Sequence, residues 1–131
     1  MTNNKATIKK AISPTAIASS LGELWSPHII DEIDDSYIKV AKIAGEFVWH
    51  SHDNEDELFL VLSGSMVIEY DDLKIELTKG DLHIVPKGVK HKPVAERECL
   101  ILLFEKKQTL HTGNIQTKFT KNIDQQLHQR K

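Results

Sequence analysis

Four side chains of the 131-residue chain have types and spacings suited to holding one metal ion. His50-Ser51-His52 sets two imidazoles two residues apart. On an extended strand such residues share a face, with Cα atoms roughly 6.5–7 Å apart, so two nitrogen donors can converge on one cation. Glu57 follows the turn-like run Asp53-Asn54-Glu55-Asp56, and a carboxylate entering the next strand can reach back to the same point. His91 follows Pro86-Lys87-Gly88-Val89-Lys90 and can supply a third imidazole from the opposite sheet. Three neutral nitrogens and one oxygen suit a divalent first-row transition metal (Fe, Mn, Ni, Co, Cu or Zn). Calcium and magnesium prefer oxygen-rich sites. Four protein ligands on an octahedral ion leave two positions for a bidentate ligand, or for a substrate plus water. The His-x-His pair alone says little, because surface histidines are common; its combination with Glu57, Gly64, Gly80, Pro86, Gly88 and His91 carries the reading.

The elements that must position these residues are strands. Residues 29–30, 37–43, 47–52, 57–62, 66–70, 73–77, 82–86 and 99–104 read as short apolar or alternating runs. Turn chemistry separates them at Ser63-Gly64-Ser65, Asp71-Asp72, Lys79-Gly80-Asp81 and Pro86-Lys87-Gly88. No helices alternate with the strands, so an all-β sandwich or barrel is expected rather than a parallel α/β fold. One short N-terminal helix is expected over residues 13–25. Ser13 caps it, Pro14 opens it, Ile17, Leu21, Leu24 and Trp25 share a face, and Pro27 ends it. The chain divides into an N-terminal arm and helix (1–28), a barrel (29–112) and a polar C-terminal tail (113–131). Along residues 57–62, Leu58, Leu60 and Leu62 lie on one face and Glu57, Phe59 and Val61 on the other. Two apolar faces call for cover on the outside too, by the helix or by a second subunit, and a homodimer is the expectation.

These residues resemble the two sequence motifs of the cupins. The first motif looks like Gly, His-x-His, three or four residues, Glu, six residues and Gly. Here it corresponds to His50-Ser51-His52, four residues, Glu57, six residues and Gly64. The other motif runs Gly, five residues, Pro-x-Gly, two residues, His, three residues and Asn. Here it corresponds to Gly80, five residues, Pro86-Lys87-Gly88, two residues and His91. Fifteen residues, 65–79, separate the motifs, as in compact microbial cupins. The resemblance covers residues 37–105. It implies a jelly-roll β-barrel (a double-stranded β-helix) of six to ten strands, with the metal held inside by His50, His52, Glu57 and His91. Gly64, Gly80 and Gly88 would serve tight turns. Two positions depart from the pattern: Gly45 is one residue closer to the histidines than the motif asks, and Ala95 replaces the terminal asparagine. Only Glu57 has the motif spacing to both His52 and Gly64; Asp53, Glu55 and Asp56 read as turn residues.

The chain is also similar to single-domain bacterial cupins loosely grouped with mannose-6-phosphate isomerase. That likeness implies a metal-dependent enzyme acting on a small polar molecule, as a dioxygenase, isomerase or lyase, without choosing among them. The metal would polarise a substrate oxygen or activate a water, or with a redox metal bind substrate and O₂ together. The candidates for a general acid or base are His83 and Tyr70. The alternative is a non-catalytic barrel that senses or carries a small ligand, for which a closed four-coordinate site without an adjoining cavity would speak. Trp25 and Trp49 read as packing residues, and His28, His111 and His128 as ordinary polar ones.

Composition narrows the remaining classes. A net charge of −2 and a pI near 6.4 leave no basic stripe for nucleic acid. No apolar run approaches the roughly 20 residues of a membrane-spanning helix, and no signal sequence opens the chain, so a cytoplasmic protein is expected. Cys99, the one cysteine, sits in an apolar run and reads as a core residue.

Overall fold

A computed structural model describes residues 7–107 and Gln126. One short helix, α1 (Pro14–Ser19), precedes seven strands: β1 (His28–Ile33), β2 (Ser36–Glu46), β3 (Glu57–Ser63), β4 (Ser65–Glu69), β5 (Lys74–Thr78), β6 (Leu82–Val85) and β7 (Lys92–Lys106). All strand pairings are antiparallel, and the strands form the jelly-roll barrel.

The long strand β7 organises the barrel. One edge pairs with β2, from Ser36↔Lys106 to Glu46↔Val94. The other pairs first with β3, from Leu58↔Phe104 to Ser63↔Leu100, and then with β4, from Val67↔Val94 to Glu69↔Lys92. The chain passes from β3 to β4 at Gly64, whose φ is +84°. A Cβ there would stand 2.9 Å from the carbonyl oxygen of Glu98, so no other residue fits this bend. At the same level β7 bulges: Ile43 pairs with Cys99 and Gly45 with Ala95, which leaves Glu96, Arg97 and Glu98 opposite Ala44. These three are exposed, and Gly45 takes up the register shift with a φ of +84°. Inward positions alternate along each strand, so Phe59 and Val61, Met66 and Ile68, and Ile101 and Leu103 build one core. Cys99 is buried among them, and burial pushes its thiol up to about 11.

Three expectations are corrected. The helix ends at Ser19 rather than reaching residue 25. The N–H of Ser20 bonds the carbonyls of Ala16 and Ile17, its hydroxyl donates to Ile17 O, and Gly22 follows; none of these favours another turn. Trp25 therefore leaves the helix face, takes a left-handed conformation (φ 58°) and donates its backbone N–H to Lys42 O. Residues 47–52 form no strand beyond one bridge, His50↔His91. The strand expected over 99–104 begins at Lys92, its first half hidden in sequence by the polar bulge.

On the outer face, Ile17, Ala18 and Leu21 pack over Leu62, Leu100 and Leu102. Leu82 and Ile84, paired with Leu60 and Leu58, stay outside this cover, 59% and 49% exposed. Among the described residues no helix is long and apolar enough to cross a membrane. The polar tail read at 113–131 lies outside the described residues except for Gln126, which is helical and buried.

Candidate metal centre

Backbone bonds place the four ligands. His50 N–H donates to His91 O at 3.0 Å and His91 N–H to His50 O at 2.9 Å, so the single bridge joins two ligands directly. Gly88 N–H donates to His52 O at 2.7 Å, and Lys87 N–H to the Asp56 carboxylate at 2.9 Å. The turn at 86–88 is thus strapped both to His52 and to the loop leading into Glu57. Gly88 needs its φ of +77° to make that turn. Glu57 opens β3 opposite Val85 and faces inward.

The ring orientations are also set. Nδ1 of His50 lies 2.9 Å from Val48 O, and Nδ1 of His91 lies 2.9 Å from Val89 O. A carbonyl only accepts, so both Nδ1 atoms carry the proton and both Nε2 lone pairs point into the barrel. His52 Nε2 lies 3.3 Å and His91 Nε2 3.5 Å from Glu57 Oε1. One ligand atom from each of the four residues lies within 4.8 Å of the others, and all four residues are buried. Neighbouring donors on a shared ion with bonds of ~2.1 Å stand ~3.0 Å apart in an octahedron and ~3.4 Å in a tetrahedron, which the two contacts to Glu57 match. Nε2 of His50, His52 and His91 and Oε1 of Glu57 are buried without a well-aligned hydrogen bond. Such orphaned atoms are costly unless a further partner satisfies them, and a transition-metal ion fits that donor set.

Burial and the charges within the cluster pull the ligands in different directions. Burial, then the charge of His91, lowers His50 to about 4. Burial also pulls His52 down, but the contact with Glu57 and its charge outweigh it, so His52 titrates above the usual imidazole. Burial pushes Glu57 up, yet His52 and His91 together hold it well below the usual carboxylate range.

A small apolar cavity adjoins the ligands. Trp25, Phe47, Phe59, Ile101 and Leu103 are among its walls, and His50 and Glu57 are the only ionisable groups among the described residues that line it. Trp25 stacks on Phe47 at 4.7 Å and donates its indole N–H to Ala44 O at 2.8 Å. The space open to a water-sized sphere is about 30 Å³, enough for one small group.

Tyr70 and His83 come together as a pair, the hydroxyl 2.8 Å from His83 Nε2. Both are half-buried, and the Tyr70 ring lies 6.4 Å from that of His91. Burial, then the Glu57 charge, raises Tyr70; burial, then the His91 charge, lowers His83. Asp53 and Asp56 are exposed loop residues, and Asp56 has the added task of capping the turn at 86–88. His28 opens β1; His111 and His128 lie outside the described residues.

Behind Glu57 lies a charged pair that the sequence does not announce. Lys39 Nζ and Glu105 Oε1 are 2.7 Å apart with both side chains fully buried. Leu58 pairs with Phe104, so the buried Glu105 lies next to Glu57 across β7 and β3. Lys39 sits in an alternating strand where lysine normally faces solvent, so no signal short of the full strand register could have found it.

The barrel and its buried three-histidine, one-glutamate cluster define a cupin. The cupin-domain family model matches residues 37–104, and the chain belongs to that family. It is 34% identical over 94 residues to the uncharacterised protein YdbB of Bacillus subtilis, covering 71% of this chain and 83% of YdbB. It is 41% identical to a cupin-2 domain protein of Shewanella frigidimarina of known crystal structure, covering 73% of this chain and 94% of that one, with a TM-score of 0.71. Hydroquinone 1,2-dioxygenase from Sphingomonas sp. TTNP3, solved with 4-hydroxybenzoate bound, shares the fold at 13% identity and a TM-score of 0.61, over 80% of this chain and 84% of that one.

Proposed function

We propose that this cupin is an enzyme dependent on one divalent transition metal. Its substrate is a small molecule that brings a polar, metal-binding group to the His50–His52–Glu57–His91 cluster and a compact apolar group to the Trp25–Phe47 wall. The observation that carries this reading is the convergence of four buried ligand atoms, without aligned hydrogen bonds, within 4.8 Å. The adjoining cavity favours an enzyme over a carrier with a closed site, and its apolar lining narrows the polar substrate expected from sequence. A bound divalent metal would supply Lewis acidity toward a substrate oxygen. The chain would supply the rest. His50 and Glu57 face the substrate cavity, the aromatic wall excludes water, and the Tyr70–His83 pair beside His91 is the group that would relay a proton to or from the metal cluster.

The test is metal content. Untagged protein is purified beside a His50→Ala/His91→Ala variant, and bound metals are measured by plasma mass spectrometry. Near one ion per wild-type chain, absent from the folded variant, is the expected result. Wild-type protein that stays metal-free after repeated loading with Fe, Mn, Co, Ni, Cu and Zn would sink the reading.

A further inference from the structure

Lys39, Glu105 and Glu57 form an inward-facing row across three adjacent strands. Register explains the row: Leu58 pairs with Phe104, which sets Glu57 against Glu105 one step further on, and Lys39 pairs with Leu103, diagonal to Glu105. The Lys39–Glu105 contact of 2.7 Å has no access to solvent on either side. Buried pairs of this kind gain little stability over well-packed apolar residues of similar size, so stability is a weak reason to hold one here. What distinguishes this pair is its neighbour, since the strand register sets Glu105 beside the one carboxylate of the metal cluster.

We infer that Glu105, anchored by Lys39, is a positioning residue for Glu57, holding the ligand carboxylate toward the three imidazoles and thereby raising the affinity of the site for its metal. Lys39 Nζ holds the Glu105 carboxyl at 2.7 Å, and Glu105 in turn stands beside Glu57 across the β7–β3 pair. An outer partner of a ligand fixes its orientation, and losing such a partner lowers metal affinity by roughly 10–100-fold. The inference rests on the metal reading above, and the experiment separates the two.

Zinc ion alone is the probe, titrated in competition with a chromophoric chelator against three proteins. These are wild type, Lys39→Met/Glu105→Leu and Lys39→Met/Glu105→Gln. Removing both charges together avoids stranding a buried lysine, and unfolding of the metal-free proteins checks that each is folded. The two variants differ only in the side-chain amide that Glu105→Gln introduces, which can still donate a hydrogen bond to Glu57. The leucine variant is expected to bind zinc roughly 10–100-fold more weakly, and the glutamine variant to recover most of that loss. A leucine variant that binds as tightly as wild type overturns the inference. So does a glutamine variant as weak as the leucine one, because the loss would then not run through a polar group beside Glu57. Wild-type protein that takes up no zinc or other metal instead removes the metal centre itself.

Discussion

In the metal-free protein two buried groups pull stability in opposite directions as pH falls, and deleting one exposes the other. His50 is lowered from 6.5 to about 4, by burial and then by the charge of His91. Between those values the unfolded chain takes a proton that native His50 refuses, so acidification destabilises. Glu105 is raised from 4.5 to about 7, chiefly by burial. Over that interval native Glu105 holds a proton that the unfolded chain has released, so acidification stabilises. The two overlap from about pH 4.5 to 6.5, and at about 1.36 kcal/mol per pKa unit each amounts to roughly 2–3 kcal/mol there, with opposite sign. In wild type the two therefore oppose each other across that interval. In Lys39→Met/Glu105→Leu the Glu105 contribution is gone, and stability relative to wild type falls by roughly 2–3 kcal/mol from pH 6.5 to 4.5. Glu105 also influences His52 and Glu57, but His52 is raised above 6.5 and Glu57 lowered below 4.5, so both act outside this interval. The assay is urea unfolding of chelator-treated protein, followed by fluorescence of Trp25 and Trp49, at half-unit pH steps. Curves for the two proteins that run parallel across the interval would refute the argument that Glu105 holds its proton in the native state.

Gly64→Ala forces a left-handed alanine and sets its Cβ 2.9 Å from a backbone oxygen, so it loses at least about 2 kcal/mol, seen as a lower urea midpoint at unchanged slope. An unchanged midpoint would mean that β3 and β4 do not turn as described. Metal at a hundred times its dissociation constant stabilises wild type by about 2.7 kcal/mol, a rise in Tm of roughly 10 °C that His91→Ala abolishes; calorimetry with and without chelator reads it. Tyr70→Phe leaves metal content unchanged but moves the His83 titration seen by NMR, because it removes the 2.8 Å bond; once a substrate is found, turnover falls by roughly 10²-fold or more. A His83 titration identical in both proteins would break the proposed pair.

The ligands were legible in sequence because metal binding demands particular residue types at spacings that turns enforce. His50-Ser51-His52, Glu57 and His91 converge as expected, and Gly64, Gly80 and Gly88 all have positive φ. The strands were legible where burial alternates, as in β3, and illegible where it does not. The polar bulge at 96–98 concealed half of β7, and residues 47–52 read as a strand while making only one bridge. The helix was overextended because Leu21, Leu24 and Trp25 keep helical spacing past the point where Ser20 ends the backbone ladder. Local pattern records which residues are apolar but not which neighbour will cover them.

Lys39 and Glu105 show where local reading stops. Each belongs to a strand in which a charged residue reads as solvent-facing, and each is fully buried. What brings them inside is the register of β2, β7 and β3, which sets Lys39, Glu105 and Glu57 in one row and gives the buried lysine an acidic partner. Glu57 without that row would be a buried carboxylate ordered by two imidazoles on one side and by nothing on the other. A rigid ligand needs partners on both sides, and the partner on the far side is specified by residues 18 positions upstream and 48 positions downstream of it. The four-residue motif therefore identifies the donors, while the strength with which they hold a metal is encoded in strands outside it.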